Sequence, residues 1–111
     1  MKQKKVVITG MGVLAPNANS VADYWLAIKS GTSGIAPISY FDTSDHRVTI
    51  AGELKNFDPN QFIEKKEIRK LDPFSIYALS AAQEAIDSSN LNFKNINLDR
   101  AGVIIATGIG G

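Results

Sequence analysis

The chain has 111 residues, of which 44% are hydrophobic and 21% charged, and its formal net charge is +1. This balance is typical of a soluble globular chain, argues against disorder, and gives no reason to expect a nucleic-acid or membrane partner. The chain contains no cysteine, which excludes disulfides, cysteine metal sites and a thiol nucleophile within these residues and fits a reducing compartment.

The first predicted element is a strand near the N-terminus. Residues 6–8 are an unbroken β-branched run closed by Gly10 and Gly12, which indicates a strand buried on both faces. Residues 103–107 and the glycines that follow them repeat the same order of apolar run, threonine and glycines. We predict that both runs are core strands of one sheet. Buried strands need neighbours on both edges and faces, so we expect the chain to be a piece of a longer protein.

The first glycines also match a nucleotide-binding fingerprint. Residues 10–15 fit G-x-G-x-x-G/A, but that motif requires a helix to open at the glycines, and Pro16 follows directly. Tight packing of a strand end is therefore the favoured interpretation, and nucleotide binding remains the alternative.

A helix is predicted after Ser20. Ser20 and Asp23 resemble a capping box, and Gly31 stands where a helix-ending glycine belongs. The residues with helical spacing that form one apolar face are Val21, Tyr24, Trp25 and Ile28. We interpret Trp25 as a core anchor.

The middle of the chain is predicted to be irregular. Turn-forming residues dominate positions 31–58, with a short strand expected within 49–54. His46, the single histidine, lies in a polar stretch without the spacing of a catalytic or metal site, and we expect it to be solvated. No metal site is predicted.

The densest charge cluster follows a short helix that Asp58 and Pro59 open. Within residues 65–70 the cations are Lys65, Lys66, Arg69 and Lys70. One interpretation is a solvated helix end whose lysines complement the helix dipole. The other is a docking patch for an anionic partner, since clustered cations attract and orient such a partner.

A second, longer helix is predicted over residues 74–89. Asp72 and Pro73 repeat the capping pattern, and Asn90 ends the helix. Its alanines would let another backbone approach closely, so we expect this helix to be substantially buried. The order strand, helix, irregular cover, helix, strand indicates an α/β layered fold.

Motifs along the whole chain resemble those of one family. They lie at residues 7–12, Trp25, residues 31–35, 41–42, 51–52, 65–72 and 108–111. Together they are similar to the N-terminal part of the type II β-ketoacyl-[acyl-carrier-protein] synthases, the elongating condensing enzymes of the thiolase-like superfamily. The resemblance implies a layered αβαβα fold of which residues 1–111 are the N-terminal portion of the first half, an incomplete domain. It also implies a cytoplasmic homodimer.

The family's activity is a decarboxylating Claisen condensation in fatty acid elongation. Its substrates are the acyl and malonyl forms of acyl carrier protein, and no cofactor or metal is implied. The family's catalytic cysteine and histidines lie downstream of Gly111, so we expect no catalytic residue in this chain and no activity from residues 1–111 alone.

The resemblance also implies two sites. Lys66, Arg69 and Lys70 coincide with a basic cluster that receives the carrier protein, with Lys65 beside it. Ile109 coincides with a residue that lines the acyl-chain pocket near the dimer interface. Ala18 and Thr107 depart from the usual family residues, which leaves a polyketide-type ketosynthase, or a non-catalytic subunit resembling a chain-length factor, as alternatives.

Overall fold

The computed structural model describes residues 3–110, and they form a helical framework with one small sheet. In chain order the helices and strands are α1 Val21–Lys29, β1 Ala36–Pro37, β2 Ile50–Ala51, α2 Lys65–Ile68 and α3 Pro73–Ser89. Short 3₁₀ turns lie at Pro59–Gln61, Phe93–Asn95 and Leu98–Arg100. Within residues 3–110, no helix combines the length and the apolar character needed to cross a bilayer.

Both ends of α1 form as the sequence predicts. The hydroxyl of Ser20 accepts a hydrogen bond from the backbone N–H of Asp23 at 3.2 Å. At the other end, Gly31 adopts a φ of +67° and donates its N–H to Ile28, while Thr32 donates to Ala27. This pair of bonds is a Schellman motif, and the left-handed conformation it requires explains the glycine.

The predicted core role of Trp25 is wrong for this structure. Its side chain is 59% exposed, and the Lys29 ammonium lies 5.5 Å from the centre of its ring. The buried residue of α1 is Ala27. Helical spacing identified an apolar stripe, but the described chain provides nothing to cover the part of the stripe that carries Trp25.

The small sheet is antiparallel and lies in the irregular middle of the chain. Ala36 pairs with Ala51 and Pro37 with Ile50, which confirms a short strand within residues 49–54. The Glu53 carboxylate accepts hydrogen bonds from the N–H and hydroxyl of Ser39 and from the N–H of Tyr40. These bonds hold the segment after β1 against the one after β2.

The central element is α3, which extends from Pro73 and ends at Asn90 in the left-handed conformation, with φ +53°. Asp72 occupies the N-cap position, but its side chain makes no capping hydrogen bond, unlike the predicted pattern. Asp58 does cap, accepting from the Asn60 N–H at 3.0 Å, although the turn it starts is only a short 3₁₀ turn.

The glycines after the first apolar run pack directly against α3. A Cβ atom added to Gly12 would lie 1.8 Å from the carbonyl oxygen of Ala81, and one added to Gly10 would lie 2.1 Å from that of Ala85. Close approach of a backbone to the alanine-rich helix is therefore confirmed. No helix opens at these glycines, since α1 begins only at Val21, so the arrangement that the nucleotide fingerprint requires is absent from residues 3–110.

The two runs predicted as core strands are not paired with each other or with any other described residue. Val6 and Ile104 are each 95% exposed. The accessible surface of the 12.0 kDa chain is 9420 Å², against about 6,000 Å² for a compact protein of this mass. The radius of gyration is 17.4 Å, against roughly 13 Å for a compact chain of this length. A strand buried on both faces needs neighbours that residues 3–110 do not supply.

Candidate functional site

The predicted basic cluster lies on a single exposed turn. Helix α2 covers only Lys65–Ile68. The backbone N–H of Lys70 donates to Glu67 and that of Leu71 donates to Ile68, so helical turns continue to Leu71. Residues three or four apart on such a turn are neighbours. Lys65 therefore lies beside Arg69, and Lys66 lies beside both Arg69 and Lys70. All four are exposed.

The four cations differ in their electrostatic environment. The Lys66 ammonium lies 3.0 Å from Glu64 Oε2, and the Lys70 ammonium lies 3.0 Å from Glu67 Oε1. Among the described residues, Lys65 and Arg69 have no such ion pair. Exposed ion pairs contribute only about 0–1 kcal/mol, so a partner can displace these carboxylates. Four cations and two carboxylates leave residues 64–70 with a net charge of +2.

An aromatic cluster anchors this turn to α3. The ring of Phe57 meets the edge of Tyr77 at a centroid distance of 5.8 Å and lies nearly parallel to Phe62 at 6.4 Å. Burial raises the pKa of Tyr77 above its ordinary value of 10.0, and Tyr40 adds to this effect. Phe57, Tyr77 and Tyr40 border an open cleft of about 320 Å³ between the α3 N-terminus and the segment before the turn. The segment of residues 64–70, called the basic turn below, is therefore attached to the folded part of the chain.

Ile109, the predicted acyl-pocket residue, is fully exposed. Just beyond it, the N–H of Gly110 donates to the hydroxyl of Thr107 at 3.2 Å. Upstream, Val103 and Ile105 run beside α3 and border an open apolar cleft of about 480 Å³ with Leu79. Within residues 3–110 the structure gives Ile109 no packed environment, so its pocket role stays a prediction.

The sequence interpretation missed Glu84, a carboxylate on α3 that joins two distant segments. Its Oε2 accepts from the N–H of Val13 at 2.9 Å, and its Oε1 accepts from the N–H of Val21 at 2.8 Å. Val21 is the first residue of α1, so Glu84 also satisfies an unpaired donor at that helix end. One turn later, Ser88 exchanges hydrogen bonds with the backbone of Met11. The available signal was an acidic residue within an alanine-rich helix face.

His46 is exposed, as predicted, and its ring lies 5.4 Å from that of Phe41. Among residues 3–110, no group of three histidine, cysteine, aspartate or glutamate side chains is arranged to hold a metal ion.

Comparison with solved structures places this framework among the ketosynthases, which have a thiolase-like α/β fold. The fold matches one titled "The ishigamide ketosynthase/chain length factor" with a TM-score of 0.73 and 30% sequence identity. The match covers 81% of this chain and 22% of that one.

Comparison of the sequence identifies the family. Residues 3–111 match the family described as "Beta-ketoacyl synthase, N-terminal domain", and the chain belongs to it. Over 111 residues it is 42% identical to "3-oxoacyl-[acyl-carrier-protein] synthase 2" of Synechocystis sp. (strain ATCC 27184 / PCC 6803 / Kazusa), and over 110 residues it is 46% identical to the protein of that name from Staphylococcus aureus (strain N315). These matches cover 100% and 99% of the chain, which spans 27% of the length of each relative.

Proposed function

We propose that the full-length protein containing this chain is an elongating β-ketoacyl-[acyl-carrier-protein] synthase. It would condense malonyl-[acyl-carrier-protein] with a growing acyl chain, with loss of carbon dioxide, in fatty acid synthesis. The observation that carries this proposal is the match along the whole chain, at 42–46% identity, to proteins named for this activity.

In this proposal residues 1–111 are the N-terminal portion of the first thiolase-like half. They contain no cysteine and only the exposed His46, so the thiol nucleophile and its histidine partners come from outside them. This portion alone is inactive. The large exposed apolar surface of residues 6–8 and 103–105 supports a role for it inside a larger assembly, which we propose is a cytoplasmic homodimer.

The contribution of this chain to the reaction is to receive the carrier protein. Lys65, Lys66, Arg69 and Lys70 stand on one exposed turn, and only two of them are paired with carboxylates of the described chain. Such a patch attracts an acidic partner, and its guanidinium and ammonium groups form charge-assisted hydrogen bonds with carboxylates or with the phosphate of the phosphopantetheine arm.

Charge reversal tests this docking role. In the full-length protein, Lys66→Glu and Arg69→Glu should weaken carrier-protein binding and reduce its salt dependence together, because both depend on the same contacts. Lys94→Glu, at an exposed lysine outside the cluster, is the matched control. Affinity that stays unchanged at low salt in the two cluster variants would exclude the docking role.

The alternative is a polyketide-type ketosynthase or its non-catalytic chain-length partner. The structural match to a ketosynthase/chain length factor supports this alternative. The non-catalytic subunit differs from the elongating enzyme at the nucleophile position of the full-length protein, where a cysteine supports a condensing enzyme and a glutamine supports the non-catalytic subunit. After incubation with acyl-[acyl-carrier-protein], mass spectrometry would detect an acyl thioester on a condensing enzyme and none on the non-catalytic subunit.

We further propose that Ile109 lines the acyl pocket near the dimer interface. The complete exposure of this apolar side chain in the described chain supports a contact with something else. Ile109→Phe should shorten the accepted acyl chain because the larger ring fills the pocket, whereas Ile109→Leu, which conserves volume, should not. An unaltered product distribution in Ile109→Phe would reject the gate.

A further inference from the structure

The basic turn includes a carboxylate, that of Glu64, which competes with an acidic partner for one of the cations. Glu64 is the N-cap residue of α2, a position where a side chain usually accepts a hydrogen bond from the helix backbone. Here the Glu64 side chain makes no capping bond. Its carboxylate instead lies 3.0 Å from the Lys66 ammonium, with both side chains about three-quarters exposed.

We infer that the Glu64 carboxylate stays paired with the Lys66 ammonium until an acidic carrier protein displaces it. Lys65 and Arg69 therefore make the first contacts with the carrier protein. This inference rests on the proposed docking role and assigns different tasks to cations that the sequence treats as equivalent. Lys65 and Arg69 share a face of the turn, and among residues 3–110 neither has an ion-pair partner. They are therefore available to the partner without a prior exchange.

The expected effect of Glu64 on the affinity for the carrier protein is modest. A partner carboxylate that approaches Lys66 replaces one exposed ion pair with another, so this contact gains little, whereas each contact at Lys65 or Arg69 is a new one. Glu64 also repels the approaching acidic surface. Glu64 thus lowers the affinity for the carrier protein, which suits a partner that must dissociate after each round of transfer.

The Lys70–Glu67 pair cannot be separated as cleanly, because Glu67 is also part of α2 and its side chain is only 46% exposed. Glu64 offers the better test. Because its side chain does not cap α2, Glu64→Gln removes the competing charge without removing a helix cap. Asp45→Asn, which removes one exposed carboxylate outside the cluster, is the matched control.

The experiment measures carrier-protein binding to the full-length protein at low and high salt. Glu64→Gln should bind about two- to fivefold more tightly at low salt, the affinity equivalent of one surface ion pair, and the gain should shrink at high salt. Asp45→Asn should leave the affinity unchanged. Lys65→Gln and Arg69→Gln should each weaken binding more than Lys66→Gln does.

A double-mutant cycle separates competition from simple repulsion. If Glu64 acts by occupying Lys66, most of the gain from Glu64→Gln should disappear in the Lys66→Gln background. An equal gain in both backgrounds, or no gain at all while Lys65→Gln and Arg69→Gln still weaken binding, would overturn the inference and leave the docking role intact. If none of the Lys65→Gln, Lys66→Gln and Arg69→Gln variants affects binding, the docking role itself fails, and the inference fails with it.

Discussion

Replacing Glu84 should loosen two segments that are far apart in sequence. Its two carboxylate oxygens each accept one backbone N–H, from Val13 and from Val21, at 2.9 and 2.8 Å. Glutamine has nearly the same shape but keeps one acceptor oxygen and points an amide NH₂ at the other donor. Hydrogen bonds to charged groups contribute about 1.5–3 kcal/mol each, so Glu84→Gln should cost about 2–3 kcal/mol locally. Glu84→Ala, which loses both bonds, should cost more.

The sharpest assay is amide hydrogen exchange, because the two affected N–H groups report directly. In the full-length protein, a local loss of about 2 kcal/mol should speed exchange roughly 30-fold at Val13, at Val21 or at both, depending on which donor the glutamine oxygen still accepts. Asp87→Asn is the matched control on the same helix. Within residues 3–110 its exposed carboxylate bonds only the Gln83 side chain, so its effect should stay within about 0.5 kcal/mol.

Two results would refute this reasoning. Unchanged exchange at both amides in Glu84→Gln would show that the carboxylate does not hold them. An equal acceleration in Asp87→Asn would show that any charge change on α3 loosens the region. Faster exchange at only one amide would remain consistent, because glutamine can still satisfy one donor.

Three further changes test the packing and the hairpin. Gly12→Ala should cost about 1–3 kcal/mol in a urea melt, because its Cβ would lie 1.8 Å from the Ala81 carbonyl oxygen; a cost below 0.5 kcal/mol would refute the close packing. Gly31→Ala has open space around it but a φ of +67°, so it should cost about 1 kcal/mol, and Gly31→Asn should cost less; equal costs would exclude backbone strain as the cause. Desolvation raises the pKa of Glu53, but hydrogen bonds from Ser39 and Tyr40, with the Lys55 charge, lower it below its ordinary value of 4.5. Its contribution to stability is therefore present above pH 4.5 and disappears as the pH falls through the lowered value, so the deficit of Glu53→Gln should shrink in acid; a deficit independent of pH would contradict this assignment.

The sequence predicted those features that depend on neighbours within a few residues. Ser20 caps α1 from three residues away, and Gly31 ends it with bonds that reach back only to Ile28 and Ala27. The position of the basic turn was equally predictable, since its charges are adjacent in the chain. The family resemblance, which also depends on the order of residues along the chain, was confirmed by comparison.

Other features depend on contacts between distant parts of the chain and could not be read from local patterns. Glu84 accepts hydrogen bonds from residues that are 71 and 63 positions away. Helical spacing and capping patterns do not specify partners at such distances. Helical spacing placed Trp25 on an apolar stripe but could not show whether anything covers it. Local patterns also could not show that Lys66 pairs with Glu64 and Lys70 with Glu67. Among the described residues Lys65 and Arg69 have no such partner, and this difference depends on the positions of the side-chain ends. Local propensity fixes backbone conformation over one or two turns, whereas burial and charge pairing depend on which surfaces the folded chain brings together.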